Sequence, residues 1–284
     1  MDLPALRQWI GRTRESADTL TPRLVEAYCA TLAPNLASVK PDEAPPAIHW
    51  CLAPEAAVAS RIGTDGHPMT GDFLPPVPLP RRMWAGGRVE TIAPLQPGDQ
   101  VIRRSKIAAI QHKEGRSGAL CFVTVEHEFA TQRGLAIRER QDLVYRDIAP
   151  PVTGETPTGT ADTAASAPAA QCDLAWTIQS SPILLFRYSA LTFNSHRIHY
   201  DLPYATGVED YAGLVVHGPL QASLLLNLAA TLGGSTPRLF DYRGVAPLIA
   251  GGTFLVCGQR QADGLRCWTQ SAAGEQHMTA TASW

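Results

Sequence analysis

The sequence predicts an α+β fold in which antiparallel sheet curls around a buried helix, laid down twice in one chain. Three observations carry that reading. Strand-like runs rich in Val, Ile, Phe and Thr fill residues 88–145 and again 245–283, broken by glycine-centred turns. Each run follows a short helix and a long connection, so the halves share an order of elements without clear sequence identity. The second half also carries a long helix, apolar on nearly every face, which something must wrap.

Composition bounds the function. With 284 residues, 45% apolar and 18% charged, the chain can bury a sizeable core and is not a disordered one. A net charge of −2 argues against nucleic acid as the main partner. The six cysteines are scattered without CxxC spacing, which fits reduced thiols better than a zinc site or a disulfide frame. The first residues lack a secretory apolar core, so a cytoplasmic protein is expected.

In chain order, residues 3–14 read as weak helix. Thr21 then caps a helix that has Pro22 as its first residue and runs to Leu32. Residues 34–80 are irregular and dense in proline, with aromatic and glycine content that favours an ordered binding loop. Strands are expected at 88–92, 100–111, 119–129 and 135–145. Residues 149–171 hold little but Pro, Thr, Ala and Gly and read as a linker. Strand and helix share 176–191, and strands return at 245–250, 253–260, 265–271 and 277–283. The division is therefore 1–148, a degenerate first unit; 149–171, linker; and 172–284, the second unit. A sheet curled round a helix, made twice, is a double hot-dog.

The chemistry concentrates in Phe193-Asn194-Ser195-His196-Arg197-Ile198-His199-Tyr200-Asp201. His199 is the leading candidate, because an imidazole can take and return a proton near neutral pH; a hydrogen-bonded structural histidine is the bland alternative. His196 reads as structural or substrate-positioning. A metal site built from His196, His199 and His217 would lack carboxylate and cysteine ligands at regular spacing, and no metal is expected. Further on, Val216-His217-Gly218-Pro219 opens the long helix, with Gly218 at its N-cap, Pro219 first inside and Gly233-Gly234 as the stop. Its length could pass for a membrane span, but His217, Gln221 and Asn227 make it a buried helix. The amide at Gly218 has no partner within the helix and could polarise a thioester carbonyl. Residues 81–116 carry eight basic against three acidic side chains, which suits a phosphorylated ligand. Arg81 and Arg82 beside Trp84, after the proline-rich loop, look like pocket lining.

The string from Arg187-Tyr188 through Asp201, with His217-Gly218-Pro219, resembles the MaoC-like hydratases and dehydratases of double hot-dog fold. Within them it is most similar to the hydroxyacyl-thioester dehydratase type 2 branch, with its mesaconyl-C4-CoA and itaconyl-CoA hydratases. Gly63-Thr64-Asp65-Gly66-His67-Pro68 and Phe73 through Gly86 resemble that branch too. The resemblance implies reversible addition of water across the 2,3 double bond of an enoyl-CoA. In the family pattern Gly-Asp-x-Asn-Pro-Leu-His, an aspartate and a histidine hold and activate the water. His199 takes the histidine position, Gly218 the carbonyl-binding N–H, and Asn194 stands where the aspartate belongs, after Phe193 in place of glycine. An amide orients water but is no base, so His199 is expected to transfer the proton, with Asp201 a possible substitute carboxylate. Arg197, Arg187, Arg81 or Arg82 would pair with a free substrate carboxylate, and Tyr188, His196, His217 and Trp84 would complete the pocket. No cofactor is expected beyond the coenzyme A of the substrate. The other readings are a hot-dog thioesterase and a non-catalytic acyl-CoA-binding subunit of a heteromer. Neither a nucleic acid nor a membrane is expected as partner, and a homo-oligomer is.

Overall fold

The computed structural model describes residues 1–115, 118–147 and 172–284. The expected linker, residues 149–171, therefore lies outside the described residues.

The first half opens with α1 (Leu3–Arg7), one turn capped by Asp2. The chain then enters β1 (Thr13–Thr19), where the sequence suggests helix as far as residue 14. β1 is a polar edge strand that depends on its neighbour: Glu15 lies opposite Arg104 and pairs with it at 2.8 Å. α2 (Pro22–Leu32) begins as expected, with Thr21 Oγ1 accepting from the Leu24 amide at 3.1 Å. Residues 33–80 hold only two 3-10 turns, Ile48–Cys51 and Ala59–Arg61. Then come β2 (Arg81–Thr91), β3 (Gln100–Gly115), β4 (Gly118–Thr131) and β5 (Gly134–Arg146). β2 starts earlier than its apolar residues suggest, because Arg81 to Trp84 ladder onto Arg146 to Leu143.

The second half repeats the scheme with β6 (Leu174–Gln179), α3 (Pro182–Thr192), α4 (Leu202–Gly207) and α5 (Gly218–Gly233). β7 (Leu239–Gly244), β8 (Thr253–Gln261), β9 (Gly264–Ser271) and β10 (Gln276–Ser283) complete it. The strand expected at 245–250 is a loop, and β7 precedes it, with Phe240 and Tyr242 alternating inward as a half-buried strand requires.

The duplication is visible in the strand order. The first half runs β1-β3-β4-β5-β2 and the second β6-β8-β9-β10-β7, antiparallel throughout. Where two separate sheets are expected, β2 pairs with β7 from Gly86↔Arg243 to Glu90↔Leu239 and makes one ten-stranded sheet. That seam is tight: a Cβ on Gly87 would lie 2.1 Å from the Arg140 carbonyl oxygen and 2.5 Å from the Tyr242 hydroxyl.

α5 occupies the second curl against β8, β9 and β10, and every residue from Leu220 to Ala230 is buried. Each leucine so buried stabilises the fold by about 1.5–3 kcal/mol. Its polar side chains are satisfied. Gln221 Oε1 accepts from Thr269 at 2.7 Å. Asn227 Oδ1 accepts from the Ala37 amide at 3.2 Å, while its Nδ2 donates to the carbonyls of Pro46 and Ser223. Asn227 thus ties the proline-rich loop of one half to the helix of the other. Among the described residues no helix is long and apolar enough to cross a membrane. Because the Ala37 amide would be stranded, while the Pro46 carbonyl would keep only the Tyr28 hydroxyl, Asn227→Leu should lower stability by about 1–3 kcal/mol despite its apolar gain. Urea unfolding with an unchanged midpoint would show that the tie contributes nothing.

Candidate active site

α3 ends at Phe193, which adopts left-handed backbone (φ 51°) as the helix C-cap. Glycine takes that conformation at no steric cost, so the phenylalanine at the family's glycine position keeps the turn at some strain. The turn throws out Asn194, whose Oδ1 accepts from the His196 amide at 3.0 Å, and leads to the 3-10 turn Arg197–His199.

His199 is buried, and its Nδ1 lies 2.7 Å from the Val215 carbonyl. A carbonyl only accepts, so the proton resides on Nδ1 and Nε2 is the basic nitrogen. The ring stacks on His217 with centroids 3.6 Å apart. His217 is the N-cap of α5, so the imidazole of His199 stands beside the helix end that begins with Gly218. His217 Nε2 engages the Ser189 hydroxyl at 2.9 Å. Trp84 covers the same end, its Cε3 lying 3.0 Å from where a Gly218 Cβ would be, and packs on Tyr242 and edge-on to Trp50.

On the other side, His196 meets His199 edge-on at 5.4 Å and places its Nε2 3.2 Å from Glu209 Oε1. Against His196 lies a residue the sequence reading did not single out: His67, with ring centroids 4.0 Å apart. His67 Nδ1 is 2.8 Å from Asp65 Oδ2, a carboxylate–imidazole dyad supplied by the first half. The loop that carries it is stitched to the second half. The Ser195 hydroxyl donates to the Gly66 carbonyl, the Arg197 amide to the Asp65 carbonyl, and Arg197 Nη1 to the Thr64 carbonyl. A Cβ on Gly66 would fall 1.9 Å from the Ser195 carbonyl oxygen, and Gly66 has φ 90°. The signal was present in Asp65-Gly66-His67, but nothing in the sequence says that this loop meets residue 195.

A cavity of about 300 Å³ reaches this place. Asn194, Ser195 and His67 line it, together with Trp50, Arg103 and His127 of the first half; His199 and Gly218 are not in its wall. A larger concavity, about 890 Å³, lies over the charged face, where Glu15, Arg104, Glu128, Arg138 and Glu90 neutralise one another and Ser105, His127 and Glu139 stand at its floor.

Several expected pocket residues serve the fold instead. Tyr188 is in the core with its hydroxyl 3.0 Å from that of Ser223, and Arg187 is exposed on α3. Arg197 pairs with Asp201 at 2.7 Å, and Asp201 also caps α4, so Asp201 is no substitute carboxylate. Arg81 donates to the Glu209 carbonyl. Arg82 alone of the four arginines acts on the site, through its field at Asp65 and His67. The basic stretch is not one surface, for Arg88 and Arg104 pair outward with Asp241 and Glu15. His196, His199 and His217 stack rather than converge on a point. The group whose donor atoms do lie within 4.8 Å of one another is Asp65, His67 and His196. Its stacked rings, its internal hydrogen bond and the nearby Arg82 make it a poor cation site.

Electrostatics fix the resting state. Burial lowers the pKa of His199 to about 3, assisted by the charge His196 can carry. Burial and then Arg82 bring His67 to about 3 against the opposing pull of Asp65. Burial works to raise the Asp65 carboxyl, but the hydrogen bonds from His67 outweigh it and bring it to about 2. His67, His199 and His217 therefore rest neutral, and Asp65 is ionised.

This fold and site place the chain in a class. Residues 47–250 match the hydroxyacyl-thioester dehydratase type 2 family, and the chain belongs to that family. It is a hydratase/dehydratase enzyme. It is 40% identical to a mesaconyl-C(4)-CoA hydratase of Chloroflexus aurantiacus over 96% of this chain and 95% of that one. A MaoC-like dehydratase from Phytophthora capsici superposes with TM-score 0.67 at 16% identity, covering 100% of this chain and 99% of the other. A Mycobacterium tuberculosis protein described as having a double hot-dog fold gives 0.55 at 16%, covering 96% and 95%. The double hot-dog architecture is thus confirmed.

Two outcomes follow from this geometry. His49, His67, His127 and His199 are each held near pKa 3 by burial, well below the ordinary 6.5. Below pH 6.5 the unfolded chain binds protons that the folded one refuses, so stability must fall as pH falls toward 3. Each histidine adds up to about 1.4 kcal/mol per pH unit. Glu139, raised by burial, works the opposite way and is outnumbered. The thermal midpoint should drop steadily from pH 6.5 to 4, and a flat profile would contradict neutral buried imidazoles. Separately, Gly66→Ala should detach the dyad loop and cut activity at least tenfold while the far-ultraviolet circular dichroism is kept; wild-type turnover would show the contact to be incidental.

Proposed function

We propose that the chain hydrates a 2,3-enoyl-CoA reversibly to the 3-hydroxyacyl-CoA, with a short, branched, carboxylated acyl group such as mesaconyl-C4-CoA or itaconyl-CoA. The observation that carries the reading is the row of packed imidazoles, His67, His196, His199 and His217, ending on the N-terminus of α5. Asn194 and the Asp65-backed His67 hold the water at the cavity wall. His199 Nε2 takes a proton as oxygen bonds to the β-carbon, the double-bond electrons move onto the thioester oxygen, and the proton is returned to the α-carbon. The Gly218 amide meets the negative oxygen, an interaction typically worth about 3 kcal/mol in the transition state. Asp65 acts through His67 and stands in for the carboxylate that Asn194 lacks. The enzyme works without a cofactor beyond the coenzyme A of its substrate, in the cytoplasm and as a homo-oligomer.

The test is a panel of enoyl-CoAs, including mesaconyl-C4-CoA and itaconyl-CoA, given to the purified protein. Loss of enoyl absorbance without free thiol is expected, and His199→Ala should lose about 10²–10⁴-fold in kcat. Thiol release would mean thioester hydrolysis, and no reaction at all would mean a binding subunit. Equal turnover by a folded His199→Ala would remove His199 from the chemistry.

A further inference from the structure

The cavity has a second end that the reaction does not use. β3 alternates, and Val101, Ser105 and Ile107 face the interior of the first curl. Arg103 sits between Val101 and Ser105 on that same inward face, opposite Phe129, and lines the cavity that Asn194 and His67 also line. An inward arginine ordinarily has a carboxylate partner, since burying an unpaired charge is costly. Arg103 has none: among the described residues no carboxylate oxygen lies within 4.0 Å of it, and its buried Nε has no hydrogen-bond partner.

The two carboxyl groups whose fields reach it do not pair with it, and one oxygen of Glu139, Oε2, is itself buried without a partner. Glu55 is taken by Arg14 at 2.6 Å. Glu139 accepts from Trp50 Nε1 and Gln141 Nε2 on one oxygen, and its burial favours the neutral acid. Beside Arg103, His127 Nδ1 meets the Ser105 hydroxyl at 2.7 Å, and its buried Nε2 also lacks a partner. With Ser105 donating to Nδ1, Nε2 carries a hydrogen that no acceptor receives at hydrogen-bond geometry, although the Gln141 side chain pulls on it. A guanidinium and an imidazole N–H, both unanswered on one cavity wall, are complementary to a carboxylate.

We propose that Arg103, with His127 beside it, is the receptor for the free carboxylate of the acyl group, and that it makes this enzyme selective for enoyl thioesters carrying a second carboxylate. The proposal rests on the hydratase reading above and names the substrate feature that the site selects. A coenzyme A phosphate is the other anion that could seek Arg103. The concavity of about 520 Å³ that also contains Arg103 sets Glu15, Glu55 and Asp72 against Arg14, Arg61 and Arg103, so it offers a polyphosphate no net positive charge.

The experiment compares kcat/KM on mesaconyl-C4-CoA and crotonyl-CoA for the wild type, Arg103→Met and Arg103→Lys. The ratio of the two should collapse about 100-fold in Arg103→Met and about tenfold in Arg103→Lys, which keeps the charge but loses the fork. A ratio unchanged within threefold overturns the assignment, whether both rates fall, as a phosphate contact requires, or neither does. The lysine variant keeps length and charge and reports even where the methionine variant fails to fold. A wild type that hydrates crotonyl-CoA and ignores the carboxylated thioester refutes this inference alone. A wild type inert toward every enoyl-CoA refutes the hydratase reading, and this inference with it.

Discussion

The site depends on one contact of backbone with backbone. Gly66 of the first half lies against Ser195 of the second so closely that no side chain fits between them. Three hydrogen bonds from Ser195 and Arg197 to the carbonyls of residues 64–66 hold it there. Without that contact, the loop bearing Asp65 and His67 has no reason to lie against His196. The Asn194 loop would then lose His67, which lines the same cavity with Asp65 behind it. Loops from the two halves thus become one wall, and the joint is made by a missing Cβ rather than by an attractive side chain.

Burial exacts its due in charge. The imidazoles are driven to the neutral form because an ion among packed rings would lose its hydration. That suits a base, which must be unprotonated before it acts. It also explains why each ring has a partner that fixes its tautomer: Val215 for His199, Asp65 for His67, Ser189 for His217. Asp65 differs from the other two because it can carry negative charge, so it steadies a proton on His67 where a carbonyl or hydroxyl could only orient the ring.

Much of this was legible in the sequence, for identifiable reasons. Strong alternation gave β3, β4, β5 and β8 to β10, and an all-apolar run with Gly-Pro at its head gave α5, because those signals are local. β1 was not legible, since Thr13–Thr19 is polar and is a strand only through its ladder with β3. β7 was missed in favour of the apolar loop after it, although Phe240 and Tyr242 alternate. In the site, His199, His196 and Asn194 announced themselves by crowding. The arginines misled for a plain reason: sequence shows a charge but not its partner. Arg197 finds Asp201, Arg81 finds a carbonyl, and Arg103, unremarkable within a basic run, finds nothing.

The lost helix of the first half explains where the cavity is. In the second half α5 fills the curl of its sheet with buried leucines and leaves no room for a ligand. The equivalent space in the first half is crossed by irregular chain, whose longest ordered piece is the turn Ile48–Cys51. A single turn cannot present side chains at the density of four helical turns, so the inner face of β3 to β5 is covered only in part. Proline stiffens that covering, and Asn227 and Tyr28 anchor it by hydrogen bonds to Pro46, so the gap is held open rather than collapsed. Polar residues that would be intolerable against α5, Arg103 and His127 among them, can then stand on the inner face. Degeneration of one repeat is therefore what breaks the symmetry of the double fold and opens a cavity in the first half.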